Sequence, residues 1–549
     1  MYVQRSILLL FLFILLLNSQ PVIAQESSQK YWVYLTDKNL TNKSQIHLSD
    51  RSLERRSNQG IPLRDNDHSV SSDYIRLIRM HGVKVVNVSR WFNAVSVVVE
   101  NDTQLQALRG LRFVDRVAPV KVYRYVNQDK ENSVTSSAKV ALTDYGSAFN
   151  QVDMISVDEL HALGFSGKGM IIGVMDAGFD NADSLSVFDS LFSSGRVLGT
   201  WDFVSANDSV FDDDKHGTHV LSLMAANKPG ELVGTAPDAS YWLFRTEDVG
   251  SELVIEEDNW VAAAEFADSV GVDVLNTSLG YTDFDSADVD KNHTYADMDG
   301  NTTIITRAAD MAASKGMLVV NSAGNSGSKP WFYVEAPADG DSVLAVGAVN
   351  SSGNIVSFSS RGPSFDGRVK PNVCAQGQGT FVANNIEGVF PGSGTSFSSP
   401  LIAGAAACLW QAFPQLNNMD IFDAIQKSAH LYNTPDNSYG FGIPNFLLAY
   451  NLLMNKTTSL TDNDSVLLWP NPFTDQFRVF LPMDTNQTAT INVYNVLGQS
   501  IYSETQDNSF EIYKKTALFY FNKSGLAPGL YIIELETGGN RYVLKAVRQ

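Results

Sequence analysis

From residue 151 onward, short runs of almost wholly apolar residues alternate with longer stretches of helical pattern. The runs are Met170-Ile171-Ile172-Gly173-Val174-Met175, Ser240-Tyr241-Trp242-Leu243-Phe244, Val272-Asp273-Val274-Leu275-Asn276, Met317-Leu318-Val319-Val320 and Ser342-Val343-Leu344-Ala345-Val346. A strand without a polar face must be covered on both sides, and helices placed between successive strands supply that cover. The intervening segments Thr218–Ala226, Asn259–Ser269 and Thr303–Lys315 carry the helical pattern. Together they predict an α/β fold with a doubly wound parallel sheet, whose functional groups gather at the carboxyl ends of the strands.

Pieces of different texture flank this body. Arg5 precedes an apolar run, Ile7 to Leu17, and Val22-Ile23-Ala24 offers a cleavage site, so residues 1–24 read as a signal peptide. No later stretch is long and apolar enough to span a bilayer, which predicts an exported, soluble protein. Residues 25–126 alternate short strands and helices as a small α+β unit, with a helix opened by Ser49-Asp50 and no catalytic cluster. The polar stretch 127–150 reads as a linker open to processing, 151–454 as the α/β body and 455–466 as a second linker. Residues 467–549 hold short alternating strands with turns at Val496-Leu497-Gly498 and Ala527-Pro528-Gly529, a small β-sandwich.

The net charge of −20 is unevenly spread: residues 30–126 carry 16 Lys and Arg against 9 Asp and Glu, and residues 127–549 carry 23 against 50. A basic piece beside an acidic body predicts electrostatic complementarity between the two. Nucleic acid is excluded as a partner, because no basic motif is interleaved with aromatics and the acidic body repels phosphate. The two cysteines, Cys374 and Cys408, lie among apolar or small residues and read as buried free thiols.

Four residues at predicted strand ends or helix starts carry candidate chemistry. Ser396, in Gly394-Thr395-Ser396-Phe397-Ser398-Ser399-Pro400, stands at the start of a small-residue helix. It is either a helix cap or a nucleophile served by unpaired N–H groups and the positive helix end. Asp176 follows the first strand and either caps the next turn or orients an imidazole. His216 opens a helix in His216-Gly217-Thr218-His219-Val220; the histidine pair also admits a metal reading, although the glutamate of an HExxH site is missing. Asn325, in Ala323-Gly324-Asn325-Ser326-Gly327, is a turn residue or an oxyanion donor.

The order Asp176, His216, Asn325, Ser396, with the motifs Val174-Met175-Asp176-Ala177-Gly178, His216-Gly217-Thr218-His219-Val220, Ser278-Leu279-Gly280, Ala323-Gly324-Asn325 and Gly394 to Pro400, resembles the subtilisin-like serine proteases across residues 150–450. The resemblance implies a secreted serine endopeptidase acting on proteins or peptides. Its catalytic residues would be Asp176, His216 and Ser396, with Asn325 in the oxyanion hole and His219 structural. Ser278, Leu279 and Gly280 would pair with extended substrate. It implies no cofactor for catalysis, while acidic loops offer sites for structural calcium; no metal ligands are identified. Residues 31–126 resemble, more weakly, the inhibitory prosegment of such proteases, the intramolecular inhibitor of a self-processed zymogen.

Residues 467–549, with Trp469-Pro470-Asn471-Pro472-Phe473 and Leu526-Ala527-Pro528-Gly529-Leu530-Tyr531, resemble a type IX secretion C-terminal sorting domain. That resemblance implies the type IX machinery as a partner and passage across an outer membrane, to release or to the cell surface. Phe397 and Ser398 stand where the family more often shows methionine and alanine. A cluster of Glu247, Asp248, Glu252, Glu256, Glu257 and Asp258 suggests a subsite for basic residues. The alternative from another class is an inactive surface adhesion or binding protein on the same scaffold; it would be expected to lose one of the four residues.

Overall fold

The computed structural model describes residues 29–39, 46–120, 145–248, 255–282, 292–458, 466–469, 473, 476–482, 488–507, 516–523 and 526–548. The expected signal peptide, most of the first linker, Glu252 and part of the second linker lie outside them. Among the described residues, no helix is long and apolar enough to cross a membrane.

The N-terminal unit comprises β1 (Gln29–Leu35), α1 (Asp50–Asn58), α2 (Ser72–Arg79), β2 (Lys84–Ser89), β3 (Ala94–Val99), α3 (Asp102–Arg109) and β4 (Val114–Val120). The strands form an antiparallel sheet in the order β2-β3-β1-β4. Side chains alternate across it. Val33, Val95 and Val97 pack under Ile78 of α2 and Leu105 and Leu108 of α3. Trp32 and Ala94 point the other way, with Ile304 of the central body packed against them. Ser49 caps α1 by accepting from the Ser52 N–H, and the basic last turn of that helix carries Arg55 and Arg56.

The central body holds β5 (Ile171–Asp176), β6 (Val197–Asp202), α4 (His216–Ala225), β7 (Ser240–Arg245), α5 (Ile255–Val270), β8 (Val274–Thr277), α6 (Ile304–Ser314), β9 (Leu318–Ser322), β10 (Val343–Val349), β11 (Val373–Gln376), a hairpin of β12 (Gln378–Ala383) and β13 (Val389–Ser393), α7 (Thr395–Ala412), α8 (Asn418–Lys427) and α9 (Phe446–Thr458). Seven strands form one parallel sheet in the order β11-β10-β9-β8-β5-β7-β6. Both faces are covered, as the apolar runs require. Val174, Val274 and Val320 meet α4 and α7 on one side. Met175, Leu275 and Val319 meet α5 and α6 on the other. Every residue of α7 from Thr395 to Trp410 is buried, and its run of alanines and glycine lets the sheet approach closely.

Two boundaries differ from the reading by composition. Tyr145 to Asn150, at the end of the polar stretch, already belong to the central body: Tyr145 stacks on His161, and Ala148 is in the core. Likewise α9 continues through Thr458 because Phe446, Ala449 and Leu453 bury one of its faces. The C-terminal unit has two antiparallel sheets. The strands β14 (Leu467–Trp469), β15 (Gln476–Pro482) and β18 (Thr516–Asn522) form one, in the order β14-β15-β18. The other contains β16 (Thr488–Asn495), β17 (Ser500–Asp507), β19 (Gly529–Thr537) and β20 (Asn540–Arg548), in the order β17-β16-β19-β20. Val479 and Phe519 of one sheet and Ile491 and Ile533 of the other share a core.

The charge asymmetry resolves into direct contacts on α5. Three guanidinium groups converge on Asp268: Arg55 at 2.6 Å, Arg56 at 2.6 Å and Arg90 at 2.7 Å. One turn earlier, Glu265 accepts from the Ser89 hydroxyl at 2.5 Å and the Arg90 N–H at 2.9 Å. Asp258 accepts from the Trp32 indole at 2.5 Å. Burial pushes the Asp258 and Glu265 carboxyls up and the Lys30 ammonium down. Breaking one side of such a buried network strands the other, at a cost of about 3–5 kcal/mol. In the full-length chain, Asp268→Ala is therefore predicted to speed amide hydrogen exchange of α1 and β2 by roughly 10²-fold or more; unchanged protection would show that these contacts do not hold the unit in place.

Candidate active site

The site is built at the carboxyl edge of the parallel sheet, where β5, β8 and β9 end and α4 and α7 begin. Asp176 is the last residue of β5 and is fully buried. Its Oδ1 accepts from the Ala177 N–H at 2.8 Å and lies 2.7 Å from His216 Nδ1. Arg245, at the end of the neighbouring β7, donates to the Ala177 carbonyl at 3.1 Å and pairs with Asp202 at 2.9 Å, which pins the turn after Asp176. His216 is the first residue of α4, and its side chain is 31% exposed. So close an approach needs Gly217: a Cβ there would overlap the Gly178 carbonyl and press on Asp176 Cβ at 3.0 Å.

Ser396 lies in the first turn of α7, delivered by the β12–β13 hairpin. Its hydroxyl donates to the Ser278 carbonyl at 3.2 Å, and the Ser278 hydroxyl donates back to the Ser396 carbonyl at 3.0 Å. This reciprocal pair fastens α7 to the segment leaving β8. The His216 ring runs alongside Phe397, with centroids 6.0 Å apart, so the unusual phenylalanine forms one wall beside the imidazole.

Asn325 follows β9. Its side-chain oxygen accepts from the Thr395 N–H at 2.9 Å and the Thr395 hydroxyl at 3.0 Å. Thr395 thus fixes the amide orientation and turns Nδ2 the opposite way. A Cβ on Gly394 would sit 3.7 Å from Ser396 N, 3.9 Å from Asn325 Nδ2 and 3.9 Å from Ser396 Cβ. Gly394 has an extended backbone, φ 161°, that any residue can adopt, so glycine serves there to keep open a space faced by two N–H donors. The sequence gives Thr395 no evident role. Its only signal is a hydroxyl residue at a helix start.

The segment Ser278-Leu279-Gly280 continues from β8 beside this space. The Leu279 carbonyl accepts from Asn321 Nδ2 at 3.1 Å, which holds the segment against the end of β9. The acidic cluster is largely engaged elsewhere: Asp258 with Trp32, Glu257 with His293 at 2.6 Å, Glu256 with the Asp248 N–H at 3.0 Å and Glu247 with the Tyr281 hydroxyl. Among the described residues, no group of three or more His, Cys, Asp or Glu is placed to hold a metal ion. Both cysteines are free and buried.

Known proteins resemble this chain in all three parts. A family model described as the subtilase family matches residues 167–442. The chain belongs to the subtilase family. Subtilisin DY of Bacillus licheniformis is 31% identical over 284 residues, 51% of this chain and 90% of that protein. Subtilisin E of Bacillus subtilis (strain 168) is 32% identical over 302 residues, 54% of this chain and 69% of that protein. Subtilisin BL of Lederbergia lenta is 28% identical over 301 residues, 54% of this chain and 95% of that protein. The subtilase is a serine endopeptidase. A Bacteroidota peptidase S8 propeptide domain matches residues 30–138, and a secretion system C-terminal sorting domain, of the type IX kind, matches residues 467–549. The protein is accordingly made with a propeptide and sorted for secretion, to the cell surface or the medium.

His219, three residues after His216, is 2% exposed and stands edge-on to Phe390, with centroids 5.0 Å apart. Burial, with His216 and Lys215 nearby, pushes its imidazole down to about 3. The folded state therefore excludes a proton that the unfolded chain accepts near pH 6.5. Stability from this group is complete above pH 6.5 and is lost as pH falls toward 3, at ~1.4 kcal/mol per pH unit. His219→Asn should flatten the dependence of the urea midpoint on pH between 6 and 4; an identical slope in both proteins would count against the assignment.

Proposed function

We propose that this subtilase cleaves peptide bonds by nucleophilic attack of Ser396, with His216 as general base and then acid and Asp176 as its orienting carboxylate. The observation that carries this reading is the 2.7 Å contact between the buried Asp176 Oδ1 and His216 Nδ1. A carboxylate held there keeps the proton on Nδ1, leaves Nε2 free to take a proton and stabilises the imidazolium that follows. Attack on a carbonyl by the Ser396 oxygen creates an oxyanion. The space kept open by Gly394 supports two donors for it, the Ser396 N–H at the positive end of α7 and Asn325 Nδ2. The first step forms an acyl-enzyme and releases the amine, protonated by His216; water, deprotonated by His216, then frees the acid.

Extended substrate would lie as a strand along Ser278-Leu279-Gly280, so selection falls on unfolded or loop segments of proteins. The reaction as proposed uses protein side chains alone, with no cofactor. Structural calcium in acidic loops is a further part of this proposal, with no ligands assigned. We read the N-terminal unit as an intramolecular inhibitor that the active enzyme cuts away within the polar stretch 127–150. Export would start from residues 1–24 and end with the type IX machinery. Retention of all four site residues speaks against an inactive adhesion protein.

Wild type expressed beside Ser396→Ala tests the reading. The variant should keep its N-terminal unit and leave casein intact, whereas wild type loses the unit and digests casein. Equal processing and activity in the two would overturn it. Asn325→Ala should lower kcat by about 10²–10³-fold with little change in KM. Gly394→Ala, which places a methyl where the oxyanion would form, should fold normally yet lose at least as much kcat.

A further inference from the structure

We infer that Glu335 forms the floor of the pocket that receives the substrate side chain preceding the scissile bond, and that it selects lysine or arginine there. The inference rests on the Ser396 and Asn325 reading above. A substrate residue whose carbonyl oxygen sits between Ser396 N–H and Asn325 Nδ2, on a strand lying along Ser278 to Gly280, must project its side chain between two walls. One wall ends in Gly280 and the other in Gly324. Both are glycines, and both face the same carboxylate. A Cβ on Gly280 would overlap Glu335 Oε2, and a Cβ on Gly324 would overlap its Cδ and Oε1. Glu335 is held in place from both sides: its N–H donates to the Ala323 carbonyl at 3.2 Å, and the next residue exchanges backbone hydrogen bonds with Tyr281, at 2.9 and 3.3 Å.

The carboxylate is unusual in its company. Glu335 is 9% exposed and accepts from the Ser360 hydroxyl at 3.5 Å, with the Asn325 N–H and the Ser326 hydroxyl close enough to favour its charged form. All three donors are neutral. Lys329 acts on it only through space, and among the described residues Glu335 forms no ion pair. Burial accordingly pushes its carboxyl up from the usual range. A buried carboxylate without a cation is costly, and the cost is recovered when a cation arrives. Asp268, also buried, is by contrast met by three arginines. At Glu335 the missing cation is the one a substrate can bring. The contact is made only when the peptide is seated against Ser396, so it discriminates between substrates at the step where they are cut.

The test uses the processed enzyme and four fluorogenic peptides that differ only in the residue before the scissile bond: lysine, arginine, glutamine and norleucine. Wild type should cleave the lysine and arginine peptides with kcat/KM at least tenfold above norleucine, and glutamine should fall nearer norleucine, since charge and not hydrogen bonding decides. Glu335→Gln should bring the lysine-to-norleucine ratio, measured within the same preparation, close to one. A wild-type ratio near one, or a ratio preserved in Glu335→Gln, overturns the inference. Should that variant not accumulate folded, the wild-type ratio decides alone. Ser396→Ala run in parallel separates the two claims: if it is inert while wild type ignores charge, only the role of Glu335 fails; if it cleaves as wild type does, the triad reading fails.

Discussion

The structure depends on a helix that has no exposed face. Sixteen consecutive residues of α7, Thr395 to Trp410, are buried, against the sheet on one side and α4 on another. Its small residues let neighbouring elements close in, while Leu401, Ile402 and Leu409 fill the core around it, and a helix so enclosed can neither rotate nor slide. Its first turn consequently meets the carboxyl edge of the sheet in one register. Ser278, the first residue after β8, is locked to Ser396 by two reciprocal hydrogen bonds, at 3.2 and 3.0 Å. Asn325, after β9, is locked to Thr395 by two more, at 2.9 and 3.0 Å. The groups assigned to catalysis are thus set by the packing of regular elements and not by loop conformation, which suits chemistry that tolerates little misplacement.

The opposite face of the sheet serves the N-terminal unit. Helix α5 carries Asp258, Glu265 and Asp268, whose carboxylates meet Trp32, Ser89 and the cluster of Arg55, Arg56 and Arg90. Buried charges of this kind contribute less to net stability than to pairing in one arrangement. They also make the contact conditional. Under the proposed removal of the unit, the same carboxylates would return to water, where they need no partner. Charge pairing therefore fits a propeptide that binds in one place and, as proposed, is later removed.

Much of this was legible in the sequence, for identifiable reasons. Five sheet strands announced themselves as apolar runs because both their faces are covered. The strand β6 did not, since its residues are mostly half-exposed at the sheet edge; nor did β11, four residues long and close behind Pro371. The triad candidates were legible because each sits in a turn motif whose local sequence carries the requirement, such as the Gly217 that lets α4 approach β5. Thr395 and Glu335 were not. Thr395 acts by orienting another side chain, and nothing in its neighbours names Asn325. Glu335 lies in an ordinary-looking loop and becomes notable only when the fold sets it between Gly280 and Gly324. Contacts made by tertiary folding between distant segments leave no local pattern to read.

The central claim is that the Ser396 hydroxyl, activated through His216 and Asp176, is the nucleophile. Labelling with a fluorophosphonate, followed by peptide mass spectrometry, tests it most directly, since the reagent traps an activated serine without needing a chosen substrate. The account predicts a single phosphonylated residue, Ser396, with labelling lost in His216→Ala and strongly slowed in Asp176→Asn. Label on Ser398 or Ser399, or labelling of Ser396 that persists undiminished without His216, would contradict it.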